Sequence, residues 1–91
     1  MKIYKVTRTD KVSYTDYEAF ICVAPDMEWA KELIPHHNYK GELETYLQED
    51  LDADFVIGGW TNDKNNLKVE LLGIADATFD KTKILLASFN A

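Results

Sequence analysis

The 91-residue sequence has few cysteines, glycines and prolines and no long apolar run. Its single cysteine, Cys22, excludes an intramolecular disulfide and fits a reducing cytoplasm. Four glycines and two prolines, with 46% hydrophobic residues, exclude a collagen-like repeat or a disordered linker. No apolar run approaches the roughly 18 residues of a membrane-spanning helix, and the charged N-terminus is not a signal peptide. The composition predicts one globular domain over residues 1–91, in the cytoplasm.

Basic residues are missing between Gly41 and Asp63, a stretch with seven acids and no Lys or Arg. The net charge is −6, so this stretch carries −7 and the rest of the chain +1. Phosphate backbones repel an acidic protein, which argues against direct nucleic-acid binding. An acidic surface attracts a basic protein surface instead. The simpler interpretation is that the acids only keep the domain soluble.

Six of these acids form the predicted partner-binding surface, within an acidic insertion at about 41–56. The predicted partner is a host or phage protein with a basic surface, and no contact with a membrane is expected. The chain itself is expected to be a monomer or a weak homodimer. The six residues are Glu42, Glu44, Glu49, Asp50, Asp52 and Asp54.

Hydrophobic periodicity predicts an α+β domain with the element order β-β-α-(α)-(β)-β-β. A strand at 2–9 alternates in polarity, and 17–24 is a continuous apolar run typical of a central strand. These two strands would form a hairpin with a long loop. Two more strands are predicted at 67–74 and 84–89. The strands would form one antiparallel sheet of about four strands, with one helix packed on its apolar face.

That first helix is predicted to begin at Pro25, which suits the first helical turn, and to end at Pro35. Ten residues make a marginal helix in isolation, so packing on the sheet must stabilise it. Trp29 lies at the edge of the apolar stripe. The residues predicted on the inward face are Met27, Ala30, Leu33 and Ile34.

The middle of the chain is predicted to contain a loop at 36–41 and a second amphipathic helix at about 42–50. A short apolar run at 54–59, broken by two glycines, is predicted as an edge strand with a bulge or turn. Residues 61–66 are predicted as a loop. The residues predicted to face inward from the second helix are Leu43, Tyr46 and Leu47.

The sequence also predicts which edge of the sheet is open to pairing. Lys2, Lys5 and Arg8 on the strand at 2–9 are the kind of charges that protect an edge strand. Any self-association or strand addition is therefore expected at the edge nearest 54–59 rather than at the N-terminal strand.

No motif supports catalysis, so the chain is predicted not to be an enzyme and to need no cofactor or metal. His36 and His37 are adjacent on the predicted loop, but no His-x3-His, Cys-x2-Cys or carboxylate triad accompanies them. A weak hydrolase or metal enzyme using these histidines is the least favoured alternative. Cys22 falls inside a predicted central strand, where a cysteine packs as a small hydrophobic residue.

A further hypothesis is a small-molecule sponge or sensor for a nucleotide-like ligand. Aromatic side chains on loops would stack on the base, and nearby basic residues would contact the phosphate. The acidic net charge opposes this interpretation. The candidate aromatic contacts are Tyr14, Tyr39 and Trp60, and the candidate phosphate contacts are Arg8, Lys11 and Lys40.

Several stretches carry a family resemblance. KIYKVTRTDKVSYTDYEAFICVA, LKVELLGIAD and ILLASFNA, with Ile34-Pro35-His36 and an isolated Trp60, resemble a widespread group of small phage and prophage proteins. Together with the predicted first helix that precedes Ile34, which also fits the pattern, these stretches cover about 60% of the chain. The sequence departs from the pattern in its acidic insertion and in having Pro-His rather than His-Pro after the first helix.

No activity is attached to that group, so the resemblance indicates a phage origin but does not indicate a biochemical activity. Small acidic phage proteins include many that block host defence, such as anti-CRISPR proteins, and this comparison is one of profile rather than of motif. This profile and the acidic segment lead to the hypothesis of a non-enzymatic protein that binds and inhibits or modulates a host protein, such as a defence component, in the cytoplasm of an infected or lysogenic bacterium. A phage housekeeping role is the second alternative.

Overall fold

A computed structural model describes residues 1–10, 12, 16–50, 59–61 and 63–89. These residues form an α+β fold that contains a four-stranded antiparallel sheet and one short helix, as predicted. The helix is α1 (Met27–Glu32), and two 3-10 helices span Gln48–Asp50 and Lys64–Asn66. The strands are β1 (Lys2–Arg8), β2 (Tyr17–Ala24), β3 (Leu33–His37), β4 (Leu43–Leu47), β5 (Leu67–Ile74) and β6 (Lys83–Phe89).

The four-stranded sheet has the order β5-β1-β2-β6, and all neighbouring strands are antiparallel. β1 and β2 pair as the predicted hairpin, and the apolar β2 is a central strand. β1 is also central, so the prediction that its charges protect an edge is wrong. Lys2 and Lys5 instead extend from the sheet into solvent, and only 8% of the Arg8 side chain is exposed.

The second helix predicted at 42–50 is wrong, because residues 43–47 form β4, which pairs with β3 in a separate two-stranded sheet. Leu43 and Leu47 fit a helical spacing, but they also alternate with Glu44 and Tyr46 at the period of a strand. Pairing with β3 decides between the two patterns. The predicted loop at 36–41 is correspondingly shorter, since both histidines belong to β3.

Helix α1 is shorter than predicted. Asp26, rather than Pro25, caps it, because the Asp26 carboxylate accepts a hydrogen bond of 2.8 Å from the Trp29 backbone N–H. The helix ends at Glu32, since Leu33 adopts an extended conformation with φ −82° and ψ 143°. Extended backbone suits the residues before Pro35, which sits in β3 of a two-stranded sheet, where a missing N–H is tolerated.

The core lies between one face of the four-stranded sheet, α1 and the β3–β4 hairpin. Ala30 is the buried residue of α1, whereas Met27 is 45% exposed, contrary to the predicted inward position. Leu33 and Ile34 are buried as predicted, although from β3 rather than from the helix. The cluster of buried side chains comprises Tyr4, Val6, Tyr17, Phe20, Cys22, Ala24, Ala30, Leu33, Ile34, Trp60, Leu67 and Ile84.

Cys22 is buried, as predicted for a structural cysteine. Its side chain has no exposed surface, and burial raises the pKa of the thiol to about 12. The thiol is therefore protonated at neutral pH and is a poor nucleophile.

Some predictions fall outside the described residues. These include Lys11, Tyr14, Asp52 and Asp54, and nearly all of the predicted edge strand at 54–59. The predicted loop at 61–66 contains the second 3-10 helix, which Asp63 caps. Within the described part of the chain, no helix has the length and apolar character needed to span a membrane.

Candidate functional site

The turn that joins β3 to β4 is held by four hydrogen bonds centred on Asn38. The Asn38 side-chain oxygen accepts from the backbone N–H of Lys40 at 2.9 Å and of Glu42 at 3.0 Å. The Asn38 backbone N–H donates to Glu42 O, and Gly41 N–H donates to Asn38 O at 2.9 Å. Gly41 has φ +79°, a conformation that glycine adopts without strain. The turn is therefore well defined by its own sequence.

Tyr39 lies at the tip of this turn and is 93% exposed. The Lys40 ammonium nitrogen is 5.8 Å from the centroid of the Tyr39 ring. A large aromatic side chain therefore projects from a turn whose backbone is already ordered. Tyrosines presented in this way are common anchors at protein interfaces.

The acids of the hairpin follow directly from the turn. Glu42 is exposed just before β4, Glu44 is half-buried within β4, and Glu49 is exposed on the first 3-10 helix. None of the three takes part in an ion pair within the residues that the structure describes. By contrast, Glu28 and Glu32 both have lysine partners. These three carboxylates are therefore not neutralised by an ion pair with any described residue.

The predicted acidic surface is thus built differently from the expected helix and loop. Its described members lie on the hairpin and on the 3-10 helix that follows, which also contains Asp50. We call Tyr39, Glu42, Glu44 and Glu49, on this continuous stretch of chain, the acidic hairpin surface.

The two histidines do not form a metal site. Adjacent residues of a strand point to opposite faces, so His36 and His37 cannot both reach one ion. The His36 ring stacks on Tyr46 with 5.2 Å between centroids. Across the described residues, no group of three or more His, Cys, Asp or Glu side chains is placed to hold a metal.

His37 connects the hairpin to the four-stranded sheet. Its Nδ1 lies 2.8 Å from the Tyr17 hydroxyl, and its ring packs 5.2 Å from that of Phe89. Burial raises the pKa of Tyr17, an effect that an interaction with the His37 backbone partly offsets. Thr45 adds a second connection, since its hydroxyl accepts the Ile84 backbone N–H at 2.9 Å. These contacts fix the hairpin on the sheet.

Trp60 is 8% exposed and packs on Phe20 with 5.1 Å between centroids, so it does not present a ring to a ligand. The guanidinium carbon of Arg8 is 5.8 Å from the centroid of the Trp60 ring. Arg8 also forms a bidentate ion pair with Asp10. The predicted use of Trp60 and Arg8 on a nucleotide-like ligand is therefore not supported by their contacts.

A groove of about 360 Å³ runs along the face of the sheet that lies opposite the core. Ile21 is the centre of one row across this face, because it pairs with both Lys5 and Leu86. Ser88 Oγ donates to a Glu18 carboxylate oxygen at 2.8 Å at the β6 side of the groove. The groove therefore combines an apolar floor with a lysine on one side and a carboxylate on the other.

In comparisons with known proteins, the chain matches no protein family, no curated protein and no solved structure. The candidate site therefore rests on the geometry of the chain itself. The sequence predicted the acids as partner contacts and Tyr39 as a contact for a nucleotide-like ligand, but it did not predict the ordered turn that carries Tyr39 and Glu42. The sequence does contain a signal for this turn, since Asn38 and Gly41 occupy the first and fourth positions that Asn and Gly favour in a β-turn.

Proposed function

We propose that this chain is a non-enzymatic phage-type protein that binds a basic surface of another protein through the acidic hairpin surface. The partner is a host protein, such as a defence component, which the binding inhibits or modulates within an infected or lysogenic bacterial cell. The single observation that carries the proposal is the 93% exposed Tyr39 on an ordered turn that continues into an acidic strand. Glu42 lies on the turn, Glu44 on β4 and Glu49 beyond the far end of β4, and none of them forms an ion pair with a described residue.

Order in the turn favours binding because less conformational entropy is lost when a partner docks. The hydrogen bonds of Asn38 set the backbone before any partner arrives. The contacts of His37 and Thr45 hold the hairpin against the sheet. The turn that carries Tyr39 is therefore already in its final conformation before binding and does not have to fold when a partner docks.

Charge supports the choice of partner. Glu42, Glu44 and Glu49 form no ion pair with a described residue, so their field is available to an approaching protein. Such a field accelerates association with a basic surface and slows association with an acidic one. Basic surfaces include those with which a defence protein holds nucleic acid, and an acidic protein can compete for them.

The test removes the charge without removing side-chain volume. We expect the variant Glu42→Gln/Glu44→Gln/Glu49→Gln to lose at least about tenfold in affinity for its partner, since the attraction between the three carboxylates and the basic surface of the partner is removed. Tagged wild type and variant would be used to capture proteins from a bacterial lysate, with quantification by mass spectrometry. A specific partner is one that wild type enriches and this variant does not.

A matched control changes the same net charge elsewhere. Glu28, Asp76 and Asp80 are exposed acids outside the hairpin, and their Gln or Asn variants alter the charge of the chain equally. The control should retain the partner. If both triple variants retain it, or if both lose it, the acidic hairpin surface is not the binding site.

A second candidate function is the binding of a small molecule in the sheet groove, which the volume of about 360 Å³ favours. Such volumes are within the range of small-molecule sites. The apolar floor with Lys5 at one side suits a ligand that joins an apolar body to an anionic group.

Native mass spectrometry of the protein purified from cells would detect such a ligand as an added mass. The variant Ile21→Glu places a charge on the groove floor and should abolish the adduct while the chain stays folded. Absence of any adduct on the wild-type protein would count against this second function.

A further inference from the structure

β5 is an edge strand whose outer side pairs with no other strand among the described residues. The Thr9 backbone N–H donates to Asn66 O at 2.7 Å, just before β5 begins. In an antiparallel ladder the inward-facing backbone groups recur at every second residue. Lys68 and Glu70 therefore direct their backbone groups toward β1, and Val69 and Leu71 direct theirs outward.

The other edge strand of the sheet is β6, and its outer side is partly covered by the β3–β4 hairpin. The Ile84 N–H of β6 donates to Thr45 of the hairpin at 2.9 Å, and the Phe89 ring packs against His37 of β3 with 5.2 Å between centroids. β5 also carries exposed apolar side chains, with Leu71 55% and Leu72 51% exposed. An unpaired edge with apolar residues is a template for pairing with another strand.

We propose that β5 pairs antiparallel with β5 of a second copy of this chain, with Val69 on the two-fold axis. In this register Lys68 of each copy lies opposite Glu70 of the other, and Leu67 lies opposite Leu71. The two copies then form one continuous eight-stranded sheet, twice the four strands of one chain. The interface is self-complementary, as two-fold symmetry requires.

The register follows from charge and from the shape of the strand. A two-fold axis at Lys68 or at Glu70 would place like charges directly opposite each other, which is unfavourable. With the axis at Val69, both cross-strand charge pairs are of opposite sign. Leu67–Leu71 is also the segment of β5 that pairs regularly with β1, because the register shifts beyond Leu71. Val69 is the centre of that segment.

Hydrogen bonds fit the same register. The two Val69 residues exchange N–H and C=O groups across the axis, and Leu71 N–H of each copy donates to Leu67 C=O of the other. The Leu67 N–H is not needed, since it already donates to Lys64 O at the end of the 3-10 helix. The contact is short, so we expect a weak dimer with a dissociation constant on the order of 100 μM.

Sedimentation equilibrium over a range up to about 1 mM protein tests the proposal. We expect wild type to dimerise reversibly and Lys68→Glu to raise the dissociation constant about tenfold, since two attractive pairs become repulsive. The charge-swapped variant Lys68→Glu/Glu70→Lys restores both pairs and should return the constant to within about twofold of wild type. Both residues are exposed, and Lys68→Glu also breaks the 3.6 Å ion pair between Lys68 and Glu70 within each chain, which the charge-swapped variant restores.

Lys83→Glu is the matched control, because it changes the net charge equally at an exposed position on β6. It should leave the dissociation constant within about twofold of wild type. A wild-type chain that stays monomeric throughout the range overturns the proposal. The proposal is also overturned if Lys83→Glu raises the dissociation constant as much as Lys68→Glu does. A charge-swapped variant whose dissociation constant stays as high as that of Lys68→Glu overturns it too.

Discussion

Arg8→Met is expected to destabilise the folded protein by about 3 kcal/mol, a large share of the stability of a small domain. The Arg8 side chain is 8% exposed, and its guanidinium donates to both carboxylate oxygens of Asp10 at 2.9 Å. It also donates to the carbonyls of Gly59 at 3.3 Å and Tyr17 at 3.5 Å. Methionine keeps the length of the side chain but removes the donor to the Asp10 carboxylate and to the Tyr17 carbonyl, whereas the Gly59 carbonyl still accepts the Tyr17 N–H at 2.8 Å.

Urea denaturation followed by tryptophan fluorescence measures this loss. Arg8→Lys keeps the charge without the bidentate geometry and should fall between wild type and Arg8→Met. Lys5→Met removes an exposed charge from the same strand and should change stability by less than about 0.5 kcal/mol. A loss below about 1 kcal/mol in Arg8→Met would show that Arg8 does not hold these segments together.

The ion pair between Arg8 and Asp10 also makes the free energy of unfolding depend on pH in the acidic range. Hydrogen bonds from Arg8 hold the pKa of Asp10 below its ordinary value of 3.8. As pH falls toward that value, the unfolded chain binds the proton before the folded protein does, so stability is lost. Asp10→Asn should therefore lose less stability than wild type between about pH 5 and pH 3.

Tyr39→Ala is expected to weaken binding to the captured partner by about 2 kcal/mol, or roughly thirtyfold, while leaving folding stability unchanged. The ring is 93% exposed, so it contributes almost nothing to the core. Its position on the ordered turn gives it the role of a central anchor in the proposed interface. Isothermal titration calorimetry and thermal unfolding of the same preparations measure the two effects separately.

Tyr39→Phe is the conservative control, since it keeps the ring and removes only the hydroxyl. It should retain most of the affinity. The proposal that Tyr39 anchors the interface fails if Tyr39→Ala binds as tightly as wild type. It also fails if Asn38→Ala, which loosens the turn, leaves the affinity unchanged.

The four strands of the main sheet were predictable because their apolar patterns are strong and nearly continuous. The 17–24 run, for example, became the central strand β2, with Phe20 and Cys22 in the core. The burial of Cys22 followed from the same pattern. Local sequence and tertiary packing agree in these segments.

The β3–β4 hairpin was not predictable from its own residues. Leu43 and Leu47 satisfy both a helix and a strand, and the choice is made by pairing with β3, a contact that periodicity does not encode. The order of the strands in the four-stranded sheet was also not predictable from the sequence. Lys5 is equally compatible with an edge strand and with the solvent-facing side of a central strand.

The site itself was predictable in part. The acids Glu42, Glu44 and Glu49 were evident from charge alone, but their lack of described ion-pair partners needed coordinates. Trp60 was predicted to be exposed because it lies between two glycines and the polar loop predicted at 61–66. Its burial comes from a tertiary contact with Phe20 of β2, which the local sequence does not encode.

The most direct measurement of the central claim is the association rate constant of the captured partner as a function of salt. For wild type we expect this constant to fall steeply between about 50 and 300 mM salt, because screening removes the attraction of the hairpin acids. The variant Glu42→Gln/Glu44→Gln/Glu49→Gln should associate more slowly at low salt and show a much flatter dependence. Equal rates and equal salt dependence for the two proteins would contradict the proposal that these acids recruit the partner.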